Sequence, residues 1–407
     1  MTLPRDAAPG ESPTGFASKE GRTWRGRLSR NIYVVSLVSF FQDTASEILY
    51  PVLPFFVTGV LGASPAVLGL IEGLADGTAS AMKAISGRLA DLRRRRPLVA
   101  TGYTTSAVGK LLLALAGAWP MVLAARVTDR VGKGVRGPPR DAIIADDTTS
   151  TNRGRAFGFH RAADTAGAVV GPLIGLGLYE LVGQRFRPLL WIALIPATVS
   201  VALVFLIRER AHPRPRSERS WSARGLPRRY WRFVGVIALF GLVNFPDTLL
   251  LLRAKDLGLD FAGVVFVYVL YNATYALLSY PAGVVSDRLN RRTVFGVGLL
   301  VFSATYLGFG LTTTASWVWL LLPLYGAYTA LTDGVSRAWV ADLVPADERG
   351  TALGIHAAVN GFGLLLAGVW AGLAWHGTGH IPFLVSGAVV AALAVILLSA
   401  GKFLERQ

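Results

Sequence analysis

The chain contains no cysteine, which excludes disulfides, thiol catalysis and thiolate-bound metal. Charge is scarce as well. Only 16% of the residues are Asp, Glu, Lys or Arg, against roughly a quarter in soluble domains. With 52% hydrophobic residues and a mean hydropathy of +0.47, the composition is that of a polytopic membrane protein. Acids are the scarcer sign, leaving a net charge of +16. The arginines collect in alternate short connections and form no basic face interleaved with aromatics, so a nucleic-acid partner is excluded. The first thirty residues lack an apolar core followed by a small-residue cleavage site, so no signal peptide is expected. No Gly-x-Ser-x-Gly, His-Glu-x-x-His or paired nucleophile and base occurs, which argues against an enzyme. No cofactor is expected, and the five histidines are too scattered for a metal site.

What remains is a succession of long apolar runs. About 20 apolar residues cross a bilayer as a helix. On that rule twelve spans are expected, at 31–60, 65–87, 97–117, 119–137, 154–183 and 187–207, then 231–252, 260–285, 293–312, 316–340, 350–376 and 380–401. The basic connections hold Arg93 to Arg96, Arg153 and Arg155, the stretch after Arg208, Arg288 to Arg292, and Arg349. Such loops stay in the cytoplasm, so both termini are expected there, in a bacterial inner membrane. The domain reading is an N-terminal tail at 1–30, a six-helix bundle at 31–208, a linker at 209–229, a second bundle at 230–401 and a tail at 402–407. The linker, rich in Pro, Ser and Arg, reads as solvated chain.

The two halves repeat each other. Gly87 to Asp91, with Arg95 and Arg96, recurs as Gly283 to Asp287, with Arg291 and Arg292, and Arg153 to His160 recurs as Arg349 to His356. Both offsets are 196 residues. Parallel six-span repeats about an axis along the membrane normal are a known transporter architecture, with the substrate site at the midplane between the halves.

On these motifs the chain resembles the major facilitator superfamily. Gly87 to Arg96 is similar to that family's signature in the loop between the second and third spans, departing from it at Leu92 and Arg94, and Gly283 to Arg292 resembles its weaker second copy. The resemblance implies an all-α membrane fold of twelve helices in two six-helix bundles with pseudo-twofold symmetry. It also implies a latch in which Asp91 meets the start of the eleventh span near Arg349 together with Arg140 and Asp146. Gly87, Arg95, Gly283, Asp287 and Arg291 complete the expected latch. Gly167, Gly171, Pro172 and Gly175 resemble the fifth-span signature of proton-coupled antiporters, which favours efflux. Glycines at i, i+4 and i+8 permit close helix contact, and the proline is expected to bend the span. The second half has Gly363, Ala367 and Ala371 instead, with no proline.

The clearest functional signal is ionisable residues inside apolar spans, which are costly there and mark substrate paths or proton relays. Arg126, Asp129 and Arg130 lie in the fourth span, and Pro138 and Pro139 are expected to end it, leaving Arg140 and Asp141 at the membrane surface. Asp43 and Glu47 stand one turn apart on the first span, Asp43 about 18 Å along it and so near the middle of the hydrocarbon. Asp43, Glu47 and Asp164 are the proton-coupling candidates. Desolvation favours the protonated carboxyl and a neighbouring cation the charged one, so Asp43 or Asp164 beside Arg126 or Arg130 could exchange a proton. Arg126, Asp129, Arg130, Asp247, Asp333, Arg337 and Asn360 are the expected substrate-cavity residues. Glu72 is assigned to the exposed side of its helix, and His160 and His356 to packing. The expected function is secondary active transport by a monomer, with a proton exchanged for a small amphipathic or charged molecule. Export of a metal ion or small anion, and a transport-inactive membrane sensor, are the alternatives.

Overall fold

The computed structural model describes residues 28–148, 153–208, 226–345 and 348–399. The linker from Glu209 to Gly225 and both tails, on which part of the domain division rests, lie outside the described residues. Within the described residues the chain forms twelve helical rods and no strand. Seven of them are long and apolar enough to cross a membrane on length and composition alone: Arg30–Val60, Phe159–Leu181, Phe186–Val204, Phe261–Ser286, Arg291–Leu311, Thr351–Leu373 and His380–Ser399. The remaining rods are Pro65–Leu92, Arg95–Ala114, Trp119–Asp146, the pair Arg228–Gly241 and Asp247–Asp256, and Val318–Leu343. Each of these carries charge within the span or is interrupted, which lowers its apolarity but not its place in the bundle.

Proline decides where the rods break. In the first span Pro51 and Pro54 cannot donate to the preceding turn, and the helix Arg30–Leu49 gives way to a short turn and a wider π-helical segment at Phe55–Val60. The seventh span opens between Gly241 and Asp247, where Pro246 starts the second segment. The fourth span behaves differently from expectation. Pro138 and Pro139 do not end it; the helix runs on to Asp146. Pro139 deprives the Val135 carbonyl of its helical donor, and the Ser86 hydroxyl of the second span supplies a hydrogen bond there at 2.5 Å. A neighbouring side chain thus repairs what proline removes. Arg140 and Asp141 consequently stay on a helix and do not sit at its end.

The pairing of helices repeats across the halves. The first span packs on the fifth, the second and third on the fourth, and the third on the sixth; seventh on eleventh, eighth and ninth on tenth, and ninth on twelfth restate that pattern. The two most extensive contacts between halves, second with eleventh and fifth with eighth, exchange under the same pseudo-twofold operation. The spans 65–92 and 261–288 are matching 28-residue helices, in register with the 196-residue offset.

The second and eleventh spans meet through glycine. A Cβ on Gly69 would lie 2.0 Å from the Gly368 carbonyl oxygen, one on Gly73 2.7 Å from the Leu365 Cα, and one on Gly372 2.3 Å from the Ala66 Cα. At Gly77 the contact has relaxed to 3.4 Å from Gly361. The seam is therefore tightest at the end away from the basic connections. Lys255 donates to the Thr58 hydroxyl at 2.9 Å across the same end. Phe55, Tyr179, Phe186 and Phe261 cluster there with ring centroids 4.5 to 5.8 Å apart. The halves are joined closely at that end.

Candidate functional site

The first half holds a buried ionic network. Arg126 grips Glu72 through two parallel hydrogen bonds, Nε to Oε1 at 2.6 Å and Nη2 to Oε2 at 2.7 Å, and its Nη1 lies 3.7 Å from Asp129. Arg130 stands 3.1 Å from Asp76 and 3.7 Å from Glu72. Lys110 donates to Asp129 at 2.9 Å. Three cations face three carboxylates, so the cluster is neutral, and bidentate geometry is what makes such burial tolerable. Glycine allows the approach. A Cβ on Gly102 would fall 2.8 Å from the Arg136 amide nitrogen, one on Gly109 2.5 Å from that of Asp129, and one on Gly132 2.4 Å from the Gly102 carbonyl. The third and fourth spans are thus in backbone contact. Glu72, expected on the exposed side, is wholly buried at the centre of this network. Its helix position was legible, but the partner that fills its face belongs to another span.

This network changes the expected pairing. Arg126 and Arg130 turn toward the second span, and neither is paired with Asp43 or Asp164. Arg140, on the continued fourth span, is the cation near Asp164, at 4.0 Å, and it also donates to the Ser39 hydroxyl at 3.1 Å. His160 lies 3.6 Å from Asp164 on the next turn. Asp43 is reached by the fields of Lys133, Arg136 and Arg140 together with Asp164. Arg136 is held over the Tyr103 ring, 4.7 Å from its centroid, and donates to Ser106 at 2.5 Å. Asp43 and Glu47 are half-buried, and Lys133 is exposed although it lies deep in the first half's sequence of spans. Of these, Glu47 meets the second half directly, through Tyr268.

The facing wall is made of tyrosine, which sequence reasoning missed. Tyr268, in the second half, donates to Glu47 in the first at 2.6 Å and stacks on Tyr50 with ring centroids 5.3 Å apart. Asp247 accepts from Tyr325 at 2.7 Å and Tyr271 at 3.1 Å. Asp333 accepts from Tyr275 at 2.9 Å and pairs with Arg337 at 2.6 Å, while Arg161 of the first half reaches the Tyr275 hydroxyl at 3.4 Å. The signal was present: Tyr268, Tyr271 and Tyr275 fall at i, i+3 and i+7 on one helical face.

The repeat shows how the two walls came to differ. At the 196-residue offset Glu72 corresponds to Tyr268, Asp129 to Tyr325, Asp76 to Asn272 and Asp164 to Asn360. One helix arrangement therefore carries an ionic set in the first half and a neutral hydroxyl and amide set in the second. Asn360 is exposed on the eleventh span, beside Gly361 and Gly363 of the glycine seams, and does not join the Asp247 or Asp333 clusters.

At the basic end the latch residues divide. Arg95 and Asp146 form an ion pair, and Arg291 pairs with Asp342, its repeat mate by the same offset. Asp342 was not among the expected latch residues, though the repeat predicts it. The side chains of Asp91, Asp287 and Arg349 lie outside the described residues. Gly87 and Gly283 occupy the ends of their helices without a crowded Cβ position. On the fifth span, a Cβ on Gly167 would lie 2.8 Å from the Phe40 carbonyl oxygen, and one on Gly171 2.8 Å and on Gly175 3.2 Å from the next two on the same face, Thr44 and Ile48. This stripe seats the first span, carrying Asp43 and Glu47, against the fifth. Pro172 lies within the unbroken helix Arg153–Leu181.

Two six-span halves, related by a repeat and closing around a polar space between them, define a membrane transport protein. The sequence signature of the Major Facilitator Superfamily matches residues 35–270 and again 233–405. The chain is 33% identical over 381 residues to an uncharacterized MFS-type transporter of Methanocaldococcus jannaschii, covering 91% of this chain and 94% of that protein. It belongs to the Major Facilitator Superfamily. Multidrug resistance protein MdtH of Yersinia enterocolitica is 26% identical over 335 residues, covering 79% of this chain and 80% of that one. The crystal structure of nucleoside transporter NupG superposes with a TM-score of 0.75 at 16% identity, covering 92% of this chain and 100% of that one. At that identity the likeness is one of fold.

Proposed function

We propose that the protein is a proton-coupled antiporter that exports a small amphipathic or charged molecule, with both termini on the cytoplasmic side of a bacterial inner membrane. The observation that carries this reading is the hydrogen bond from Tyr268 to Glu47, one turn from Asp43, across the space between the halves. A carboxylate there accepts from the tyrosine when charged. Once protonated it offers a donor of its own, so proton occupancy alters what holds the two walls together. Asp43, beside Lys133, Arg136 and Arg140, is the first candidate for the coupling proton and Asp164 the second. The tyrosine wall with Asp247, Asp333 and Arg337 supplies aromatic surface and isolated charge, suited to a molecule with an apolar body and a polar end. The 26% likeness to a multidrug resistance protein supports export over uptake. Arg126, Asp129 and Arg130 act in this scheme as the rigid frame of the first half and do not contact substrate.

The test is transport in proteoliposomes. Asp43→Asn is expected to abolish accumulation driven by a pH gradient while preserving exchange of labelled for unlabelled substrate, because Asn matches the protonated carboxyl in shape and neutrality. If the variant still concentrates substrate, Asp43 is not the coupling group and Asp164 takes its place. If that variant, the Asp164→Asn variant and the double variant all remain coupled, proton antiport through these carboxylates is wrong.

A further inference from the structure

Away from the space between the halves, the second half contains a cavity of about 160 Å³ at its basic end. Arg229 and Asn290, Arg292 and Trp339 line it, with Phe233 and Leu397 among its apolar walls. Among the described residues no carboxylate lines it. The Nε and Nη1 atoms of Arg292 are shut off from solvent and have no hydrogen-bond partner among the described residues. Arg229 gives only a long Nε bond, 3.3 Å, to the Leu343 carbonyl. A charged donor shut off from water without an acceptor is costly, so the two Arg292 nitrogens favour an anionic acceptor supplied from outside the chain. The repeat offers a control. Arg96, which corresponds to Arg292 at the 196-residue offset, donates to the Phe205 carbonyl at 2.7 Å and so has a protein partner. The same position is satisfied in one half and left open in the other. Asn290 caps the N-terminus of Arg291–Leu311 beside the cavity, adding the positive end of that helix.

We infer that this cavity binds a phosphate-bearing anion, and specifically the headgroup of an anionic phospholipid. Two guanidinium groups and a helix N-terminus match a phosphodiester in charge and in donor geometry. The Phe233, Trp339 and Leu397 surfaces match the glycerol and upper acyl carbons that follow it, and tryptophan beside cations is common at the membrane interface. A free phosphate would satisfy the arginines but leave those apolar walls uncovered.

Native mass spectrometry of the purified full-length chain, titrated with phosphatidylglycerol and in parallel with phosphatidylcholine, tests this. Phosphatidylglycerol is expected to bind the wild type in preference, and Arg292→Gln to weaken that binding roughly tenfold or more, the effect of losing a charged hydrogen-bonding group. Arg96→Gln is expected to leave it unchanged. Leu397→Trp keeps both arginines but fills the cavity; it is expected to weaken lipid binding as Arg292→Gln does, and it serves should the arginine variant fail to fold. Inorganic phosphate at millimolar concentration is expected not to displace the lipid. Displacement would retain the anion site and overturn the lipid assignment. Wild-type lipid binding by both cavity variants, or equal loss in Arg96→Gln, would overturn the site itself.

Discussion

Replacing Glu72 by Gln leaves a nearly isosteric side chain but removes one negative charge from a cluster of three cations and three carboxylates. The amide offers one neutral acceptor where the carboxylate offered two charged ones at 2.6 and 2.7 Å, and turns a donor toward the guanidinium, so the nearest negative charge left to Arg126 is Asp129 at 3.7 Å. Both side chains are buried, Glu72 at 0% and Arg126 at 4% exposure, so water cannot take over. Breaking a buried pair in this way costs about 3 to 5 kcal/mol. Replacing both partners by apolar residues, Glu72→Met with Arg126→Met, removes the uncompensated charge and is expected to recover most of that loss. Asp76→Asn provides the internal scale: Asp76 is 32% exposed and Arg130 keeps Glu72 at 3.7 Å, so about 1 kcal/mol or less is expected. The assay is heat-induced loss of the monodisperse peak of detergent-purified protein, read for the wild type and the three variants in one buffer. The expected order of midpoints is wild type, Asp76→Asn, the double variant and then Glu72→Gln. A Glu72→Gln midpoint equal to the wild type, or a double variant below the single, would refute the view that charge neutrality holds this half together.

Tyr268→Phe keeps the stack on Tyr50 but removes the hydroxyl from Glu47; it is expected to leave folding intact and slow transport several-fold, measured as initial rate in proteoliposomes, and an unchanged rate would remove the hydrogen bond from the cycle. Gly69→Ala places a Cβ 2.0 Å from a backbone carbonyl, whereas Gly77→Ala meets one at 3.4 Å. Engineered cysteines at the end away from the basic connections, in a chain that has none of its own, are therefore expected to become more reactive in the first variant and not in the second. Asp146→Asn and Asp342→Asn remove equivalent ion pairs from the two halves. Both are expected to lower turnover with little change in substrate affinity, and a fall in affinity with normal turnover would contradict a latch role.

The linear sequence carried much of this molecule because the bilayer imposes local rules. Apolar runs of about 20 residues announced the rods, arginine-rich connections their alternation, and a constant offset of 196 residues the two halves. The same offset that linked Gly87 to Gly283 also predicts the Arg291–Asp342 pair from Arg95–Asp146, and it needs no coordinates. What no local rule reports is which neighbour fills a helix face. Glu72 reads as a lone acid on its own span; only the approach of the fourth span makes it the partner of Arg126. Pro138 and Pro139 read as a helix end because proline removes a donor; only Ser86, 49 residues before Val135, replaces the lost bond. Asp43 and Asp164 were identifiable as intramembrane acids, but their cations proved to be Arg140 and its neighbours, since Arg126 and Arg130 were already engaged by Glu72 and Asp76. The tyrosine wall lay hidden for the same reason. A tyrosine in an apolar span costs little and stands out little, and it becomes part of a site only when the opposite half brings Glu47 to its hydroxyl. Secondary structure follows from what a residue is and who precedes it. The pairing of charge follows from which helices the tertiary fold sets side by side.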